Sequence, residues 1–132
     1  MKNKAIRWQQ RFMNYKNSLE ALKRAVEIEN PSETEKGGII QFYEVTFELA
    51  WKTTKNFLES GGYIVKSPRE AIKKAFQIEL IDNGETWLDA LDDRNLTSHI
   101  YDEQIANKIV NRIKKLYFPI LVKLFDELSK EI

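Results

Sequence analysis

The stretch WQQRFMNYKNSLEALKRAV, residues 8–26, decides the fold class of this chain. Its large apolar side chains recur at alternating spacings of four and three residues, which places them on one face of a helix and does not match the two-residue period of a strand. The stripe consists of Trp8, Phe12, Tyr15, Leu19, Leu22 and Val26. A stripe of this length predicts a helix packed in a bundle. The helix should end near Asn30-Pro31, because proline disfavours a helical residue before it.

A second helix is predicted to begin after Ser32, because Ser32 and Glu35 have the spacing of a capping box. Its apolar stripe consists of Ile40, Tyr43, Phe47, Ala50, Thr54 and Phe57. The helix should end at the Gly61-Gly62 pair, since glycine readily adopts the conformation that closes a helix. Gly37-Gly38 lies near its start and is expected to delay or interrupt it, because glycine is a poor helix former.

Three more helices are predicted in the second half of the chain. Ser67 and Pro68 have the residue types of an N-cap and a first helical position, so a short helix should follow them. A fourth helix should begin after the turn at residues 82–84, and Asp102 has the residue type that caps a fifth. The stripe of the fifth helix consists of Ile105, Ile109, Ile113, Leu116, Ile120, Leu124 and Leu128. Pro119 lies within this helix and predicts a kink.

These patterns predict an all-α protein: an up-and-down four-helix-type bundle with an additional short helix, five helices in all, in a single domain at residues 1–132. The second and fifth helices also have apolar residues outside their main stripes. They are Phe42, Val45, Leu49 and Trp51 on the second helix, and Val110, Tyr117, Leu121 and Phe125 on the fifth. A helix that is apolar on more than one face is usually buried on both, which predicts a homodimer or a larger homo-oligomer.

Composition excludes several kinds of site and partner. The chain has no cysteine and one histidine, which excludes thiol catalysis and leaves too few ligands for a typical zinc site. We therefore expect no metal and no cofactor. The 21 basic and 20 acidic residues give a net charge of +1, so any contact with nucleic acid must be local or shared between chains. Since no signal-peptide core and no apolar run of membrane-spanning length is present, we expect a cytoplasmic protein with no membrane partner.

The segment RNLTSHIY, residues 94–101, is the best candidate for a chemical site. It contains the histidine of the chain, His99, five residues after Arg94 and two residues before Tyr101. Histidine exchanges protons near neutral pH, and the planar guanidinium of arginine suits phosphate oxygens. On an ideal helix, Arg94 and Tyr101 lie on one face, while Asn95 and His99 share the adjoining face. These side chains are expected to form a compact polar patch at a helix end.

The residues around this patch allow several interpretations. Asn95 is expected to orient a phosphate or the imidazole, and Asp92 or Asp93 to fix the tautomer of His99 or to pair with Arg94. A purely structural interpretation stays open, in which Arg94 pairs with Asp93 or with carboxylates of another helix, and His99 is a hydrogen-bonded core residue near a helix end.

Two groups of charged residues near the patch are also ambiguous. One group lies at helical spacing on the second helix and consists of Glu44, Glu48, Lys52 and Lys55. These side chains either point into the cleft beside the motif or form a surface ion-pair ladder, and the ladder is the favoured interpretation. The other group adds Asp89 to the aspartates at 92 and 93. An acidic cluster at a helix end is more often solvated or paired with arginine than bound to magnesium.

Three passages, read together, resemble the HEPN superfamily, and specifically its HepT-like branch of nucleotidyltransferase substrate-binding proteins. They are RFMNY at residues 11–15, QFYEVTFELAWK at residues 41–52 and WLDALDDRNLTSH at residues 87–99. The resemblance spans roughly Arg7 to Leu128. It implies a helical protein that is the partner of a separately encoded minimal nucleotidyltransferase, often as toxin and antitoxin.

The resemblance implies two possible activities. In active members, an Arg-x4-6-His motif is the centre of a metal-independent ribonuclease that forms where two protomers meet, and RNA is its substrate. A tyrosine two residues after the histidine receives AMP from the partner transferase, which silences the toxin. Arg94, His99 and Tyr101 match these positions. In the alternative, the chain is a non-catalytic subunit that binds nucleotide or presents substrate. The chain lacks the Gly-Ser and Asp-x-Asp arrangement of nucleotidyltransferases, so it is not expected to be one itself.

Overall fold

The computed structural model describes residues 2–97 and 102–132, so His99 and Tyr101 lie outside the described residues. Every regular element in the described part is helical, which confirms the all-α prediction. The elements are α1 (Lys2–Val26), α2 (Glu33–Ser60), α3 (Pro68–Gln77), α4 (Gly84–Leu96), α5 (Glu103–Arg112), a π turn (Ile113–Tyr117) and α6 (Phe118–Ser129). The last three elements follow one another without a gap and together make up the predicted fifth helix.

The centre of the bundle is the antiparallel pair of α1 and α2. The ring of Trp8 lies 5.2 Å from that of Phe57, and the Ser18 and Thr46 hydroxyls are 2.5 Å apart. The predicted stripe of α1 is buried from Trp8 to Leu22. It also packs against α6, where the rings of Phe12 and Phe125 stack at 4.7 Å. Among the described residues, none of the helices combines the length and the apolar character that a membrane span requires.

The predicted helix starts are confirmed. Ser32 and Glu35 form a reciprocal capping box, and the side chains of Ser67 and Asp102 accept backbone hydrogen bonds at the starts of α3 and α5. The predicted delay at Gly37-Gly38 is wrong, because α2 runs through both glycines from Glu33. The capping box and the buried side chains that follow outweigh a glycine cost of about 1 kcal/mol each.

α1 ends at Val26, four residues before the predicted boundary at Asn30-Pro31. Asn30 has a φ of 48°, in the left-handed region that asparagine tolerates better than most residues. The chain therefore turns before the proline is reached.

The sequence predicts a kink at Pro119, and the structure has a π turn at Ile113–Tyr117, just before this proline. The Phe118 N–H donates to the Ile113 carbonyl, five residues back, and Pro119 follows in the first turn of α6. Because a π turn takes up one residue more than an α turn, the buried position within it moves from Leu116 to Tyr117, while the predicted stripe residues Ile120, Leu124 and Leu128 stay buried. Leu116 is consequently exposed, while Tyr117 and Leu121 are buried.

Packing within the chain removes part of the argument for a homodimer. Of the off-stripe residues on the predicted fifth helix, Val110, Tyr117 and Leu121 are buried within the chain itself. On α2, by contrast, Phe42 and Val45 remain 42% and 47% exposed. The apolar surface that still needs an explanation is therefore on α2.

Candidate functional site

The described part of the motif lies in the last turn of α4, which packs against the middle of α2. The Tyr43 hydroxyl of α2 donates a hydrogen bond to the Ala90 carbonyl of α4 at 2.5 Å. The ring of Tyr43 is buried and stacks on that of Tyr117, with ring centroids 5.5 Å apart. Tyr43 thus fixes α4 to α2 one turn before Arg94.

Arg94 points from this turn toward α2, where its partner is a glutamate. Arg94 Nη2 donates to Glu48 Oε2 at 2.9 Å, and the two side chains are 35% and 31% exposed. Glu48 also accepts a hydrogen bond from Trp51 Nε1 at 3.1 Å, and its other oxygen lies 3.3 Å from Lys52 Nζ. The guanidinium is therefore held in place from one side while part of the side chain stays accessible to solvent.

The protonation state of Glu48 follows from these neighbours. Partial burial by itself would raise the pKa of Glu48, but the hydrogen bonds from Trp51 and Lys52, together with the charge of Arg94, lower the pKa below its ordinary value. Glu48 is therefore ionised at neutral pH, and its contact with Arg94 is a charge-assisted hydrogen bond.

Asp93, the residue before Arg94, contacts a different element. Its buried carboxylate accepts from Arg112 Nη1 at 3.0 and 3.1 Å and from the Tyr117 hydroxyl at 2.5 Å. The predicted pairing of Asp93 with Arg94 is therefore wrong. Burial first, and then the hydrogen bond to Asp93, raise the pKa of Tyr117, so this hydroxyl stays protonated as a donor.

The π turn explains how Arg112 and Tyr117 reach the same carboxylate. Residues five apart point about 140° away from each other on an α-helix, at about 100° per residue. The wider π turn between Ile113 and Tyr117 brings them closer to one direction. Adjacent residues of α4 are thus fixed to different elements, Asp93 to the π turn and Arg94 to α2.

Thr97 and Glu44 make a second contact between the end of α4 and α2. The Thr97 hydroxyl has two acceptors within reach, the Glu44 carboxylate and the Arg94 carbonyl, the latter at 2.7 Å. The ion-pair ladder favoured from the sequence is thus only part of the description. Glu48 does pair with Lys52, but Glu44 and Glu48 also point toward the motif.

Asn95 and Asp92, the two remaining predicted site residues within the described part of the chain, are at the surface. Asn95 is exposed, and Asp92 lies 3.6 Å from Arg69 with 63% of its side chain exposed. The structure does not bring either of them onto Arg94. Within residues 2–97 and 102–132, no group of three or more histidine, cysteine, aspartate or glutamate side chains is arranged to hold a metal ion.

A groove of about 450 Å³ lies beside Thr97, between α2 and the start of α5. The charged residues that line it, within the described part of the chain, are Glu33, Lys36, Glu44, Asp102 and Glu103. Four carboxylates against one ammonium group make the groove acidic, so it is unfavourable for phosphate groups.

Comparisons with known proteins give three findings. The family model described as nucleotidyltransferase substrate binding protein like matches residues 10–130. The protein named probable ribonuclease HepT, from Haemophilus influenzae, is 31% identical over 84 residues, which are 58% of this chain and 56% of that protein. The chain thus matches only about half the length of this relative. A crystal structure from Thermus thermophilus aligns with a TM-score of 0.76 and 31% identity, covering 89% of this chain and 97% of that one.

Proposed function

The chain belongs to the nucleotidyltransferase substrate binding protein-like family, and from this premise we propose that it is a cytoplasmic, metal-independent endoribonuclease paired with a separately encoded minimal nucleotidyltransferase. The pair would act as toxin and antitoxin. Similarity to a probable ribonuclease supports the proposal.

The observation that carries this proposal is the environment of Arg94. Glu48 holds its guanidinium at 2.9 Å, and 35% of the arginine side chain stays exposed, five residues before His99. The Nε atom of this guanidinium is buried without a hydrogen-bond partner among the described residues, so the exposed part lies elsewhere on the side chain. A fixed guanidinium on a partly exposed side chain is suited to a phosphate whose negative charge grows in the transition state.

In the proposed reaction, the RNA 2′-oxygen attacks the adjacent phosphorus, and the bond from phosphorus to the 5′-oxygen breaks. One imidazole takes the proton from the 2′-hydroxyl, and the leaving 5′-oxygen receives a proton from an acid. One histidine in each chain does not fill both roles in the same step. Two copies of His99 in a dimer would supply both groups.

The exposed apolar surface of α2 supports such a dimer. Phe42 and Val45 lie within two turns of Glu48 on the same helix, so a second copy docked on them would also lie near Arg94. We therefore propose a homodimer or a larger homo-oligomer in which the site is completed between copies.

The test of this function is cleavage of a mixed RNA pool by the purified chain alone in EDTA. The cleaving activity should elute with the protein on a sizing column, and the His99→Ala protein, purified identically, controls for contaminating nucleases. Cleavage by both proteins, or by neither, would contradict the ribonuclease proposal.

Tyr101 is the proposed site of regulation. Incubation with the partner nucleotidyltransferase, ATP and magnesium should raise the mass of the chain by one or more AMP units and suppress RNA cleavage. The added phosphate would compete with RNA for the guanidinium of Arg94. Intact-mass spectrometry measures the gain, and the Tyr101→Phe protein should show none. An equal gain in that variant would place the modification on another residue.

The alternative is a non-catalytic subunit that binds nucleotide or presents substrate to the transferase. The family description supports it, and the groove beside Thr97 has the volume of a small-molecule site. Its four carboxylates, however, would repel the phosphates of a nucleotide. This groove therefore does not favour nucleotide binding, and we prefer the ribonuclease.

A further inference from the structure

The surfaces around the motif differ in their balance of acidic and basic residues. The groove beside Thr97 is lined by four carboxylates and one ammonium group. Two cations lie away from this groove. Lys52 forms an ion pair with Glu48, which also binds Arg94, and Arg69 forms an ion pair with Asp92 of α4. A strand of RNA carries one negative charge per nucleotide, so these two surfaces attract it unequally.

Lys52 is joined to Arg94 through a shared carboxylate. Its ammonium lies 3.3 Å from one oxygen of Glu48, and the other oxygen holds Arg94 at 2.9 Å. Lys55 lies three residues further along α2, close to one helical turn, and so falls on the same side of the helix. The two lysines extend the positive charge of Arg94 along α2.

Arg69 adds a third cation from a different helix. It lies at the start of α3, which packs against both α2 and α4. Its guanidinium is 3.6 Å from Asp92, and half of the arginine side chain is exposed. Asp92 lies two residues before Arg94 and therefore on another side of α4, so Arg69 extends the positive charge around that helix. At this distance and exposure the pair with Asp92 is weak, so Arg69 stays available to another anion.

We propose that Lys52, Lys55 and Arg69 form a track that binds the backbone phosphates of single-stranded RNA beside the bond to be cleaved. The carboxylates of the groove beside Thr97 repel the RNA strand, so the strand does not lie in that groove. This inference rests on the proposed ribonuclease function and adds the direction in which the substrate lies. It also explains how a chain with a net charge of +1 binds RNA locally.

The test is the affinity for a fluorescent single-stranded RNA, measured by anisotropy in EDTA over a range of salt concentrations. The full chain carries His99→Ala so that the RNA stays intact. Adding Lys52→Gln, Lys55→Gln and Arg69→Gln should weaken binding about 10-fold or more. It should also reduce the slope of log affinity against log salt by about 2, at about 0.7 for each lost contact with a single strand.

The matched control replaces three exposed cations of α1, Lys16→Gln, Lys23→Gln and Arg24→Gln, which removes the same charge. It should change the affinity less than about 2-fold, because these residues lie outside the track. Equal weakening by both triple variants, or no RNA binding by the parent, would overturn the track. The single variant Arg69→Gln, which leaves the contacts of Glu48 intact, should show part of the loss if the triple variant folds poorly.

The two proposals fail in distinguishable ways. Wild-type cleavage in EDTA together with equal binding by both triple variants removes the track and leaves the ribonuclease. RNA binding that depends on the track, without any cleavage by the wild-type chain, removes the ribonuclease and leaves an RNA-binding surface.

Discussion

Replacing Arg94 or His99 by alanine is expected to lower the rate of RNA cleavage about 100-fold or more. In the proposed mechanism, the first change removes the positive charge beside the phosphate, and the second removes the proton-transfer group. The measurement is the single-turnover rate in EDTA at saturating RNA, so that weaker binding does not enter the result. Circular dichroism should show that both variants keep the helical fold.

Two milder variants distinguish the effect of the charge of Arg94 from the effect of its position. Arg94→Lys keeps a positive charge but loses the planar fork, and Glu48→Gln keeps the arginine but weakens its charged partner. Both should fall between wild type and Arg94→Ala. Arg24→Ala, on the exposed side of α1, is the matched control and should cleave at the wild-type rate. Cleavage by Arg94→Ala at that rate would exclude a catalytic role for the guanidinium.

The helices were predictable because their signals are local. The capping box of Ser32 and Glu35 and the N-cap of Ser67 depend on residues within one turn, and the structure confirms both. The π turn was not predictable in the same way. Its stabilising contacts join Arg112 and Tyr117 to Asp93, about 20 residues away in the chain, and a periodicity pattern contains no information about that pairing.

The candidate site was likewise predictable only where its signals are local. The spacing of Arg94, His99 and Tyr101 is visible in the sequence, but the partner of Arg94 is Glu48, which lies 46 residues earlier. The helical spacing of Glu44 and Glu48 was the available signal. It did not identify the side of α2 that α4 contacts, because that is decided by tertiary packing, including the contact of Tyr43 with α4.

Replacing Asp93 by alanine is expected to lower the free energy of unfolding by about 3 kcal/mol. The buried Tyr117 hydroxyl would lose its acceptor, and Arg112 would lose both of its hydrogen bonds. Because the Arg112 side chain is 48% exposed, water replaces part of what the guanidinium loses, which keeps the cost at the lower end for a buried ion pair. Urea unfolding at neutral pH measures the change.

Asp92→Ala is the matched control for this prediction, since it removes the neighbouring carboxylate of the same helix. Asp92 is exposed and lies 3.6 Å from Arg69, so its loss should cost less than about 1 kcal/mol. Asp93→Asn keeps an oxygen acceptor for Tyr117 and should fall between the two. Equal stability of the two alanine variants would mean that Asp93 does not fix α4 to the π turn, and that Arg94 is positioned by the contacts of α4 with α2.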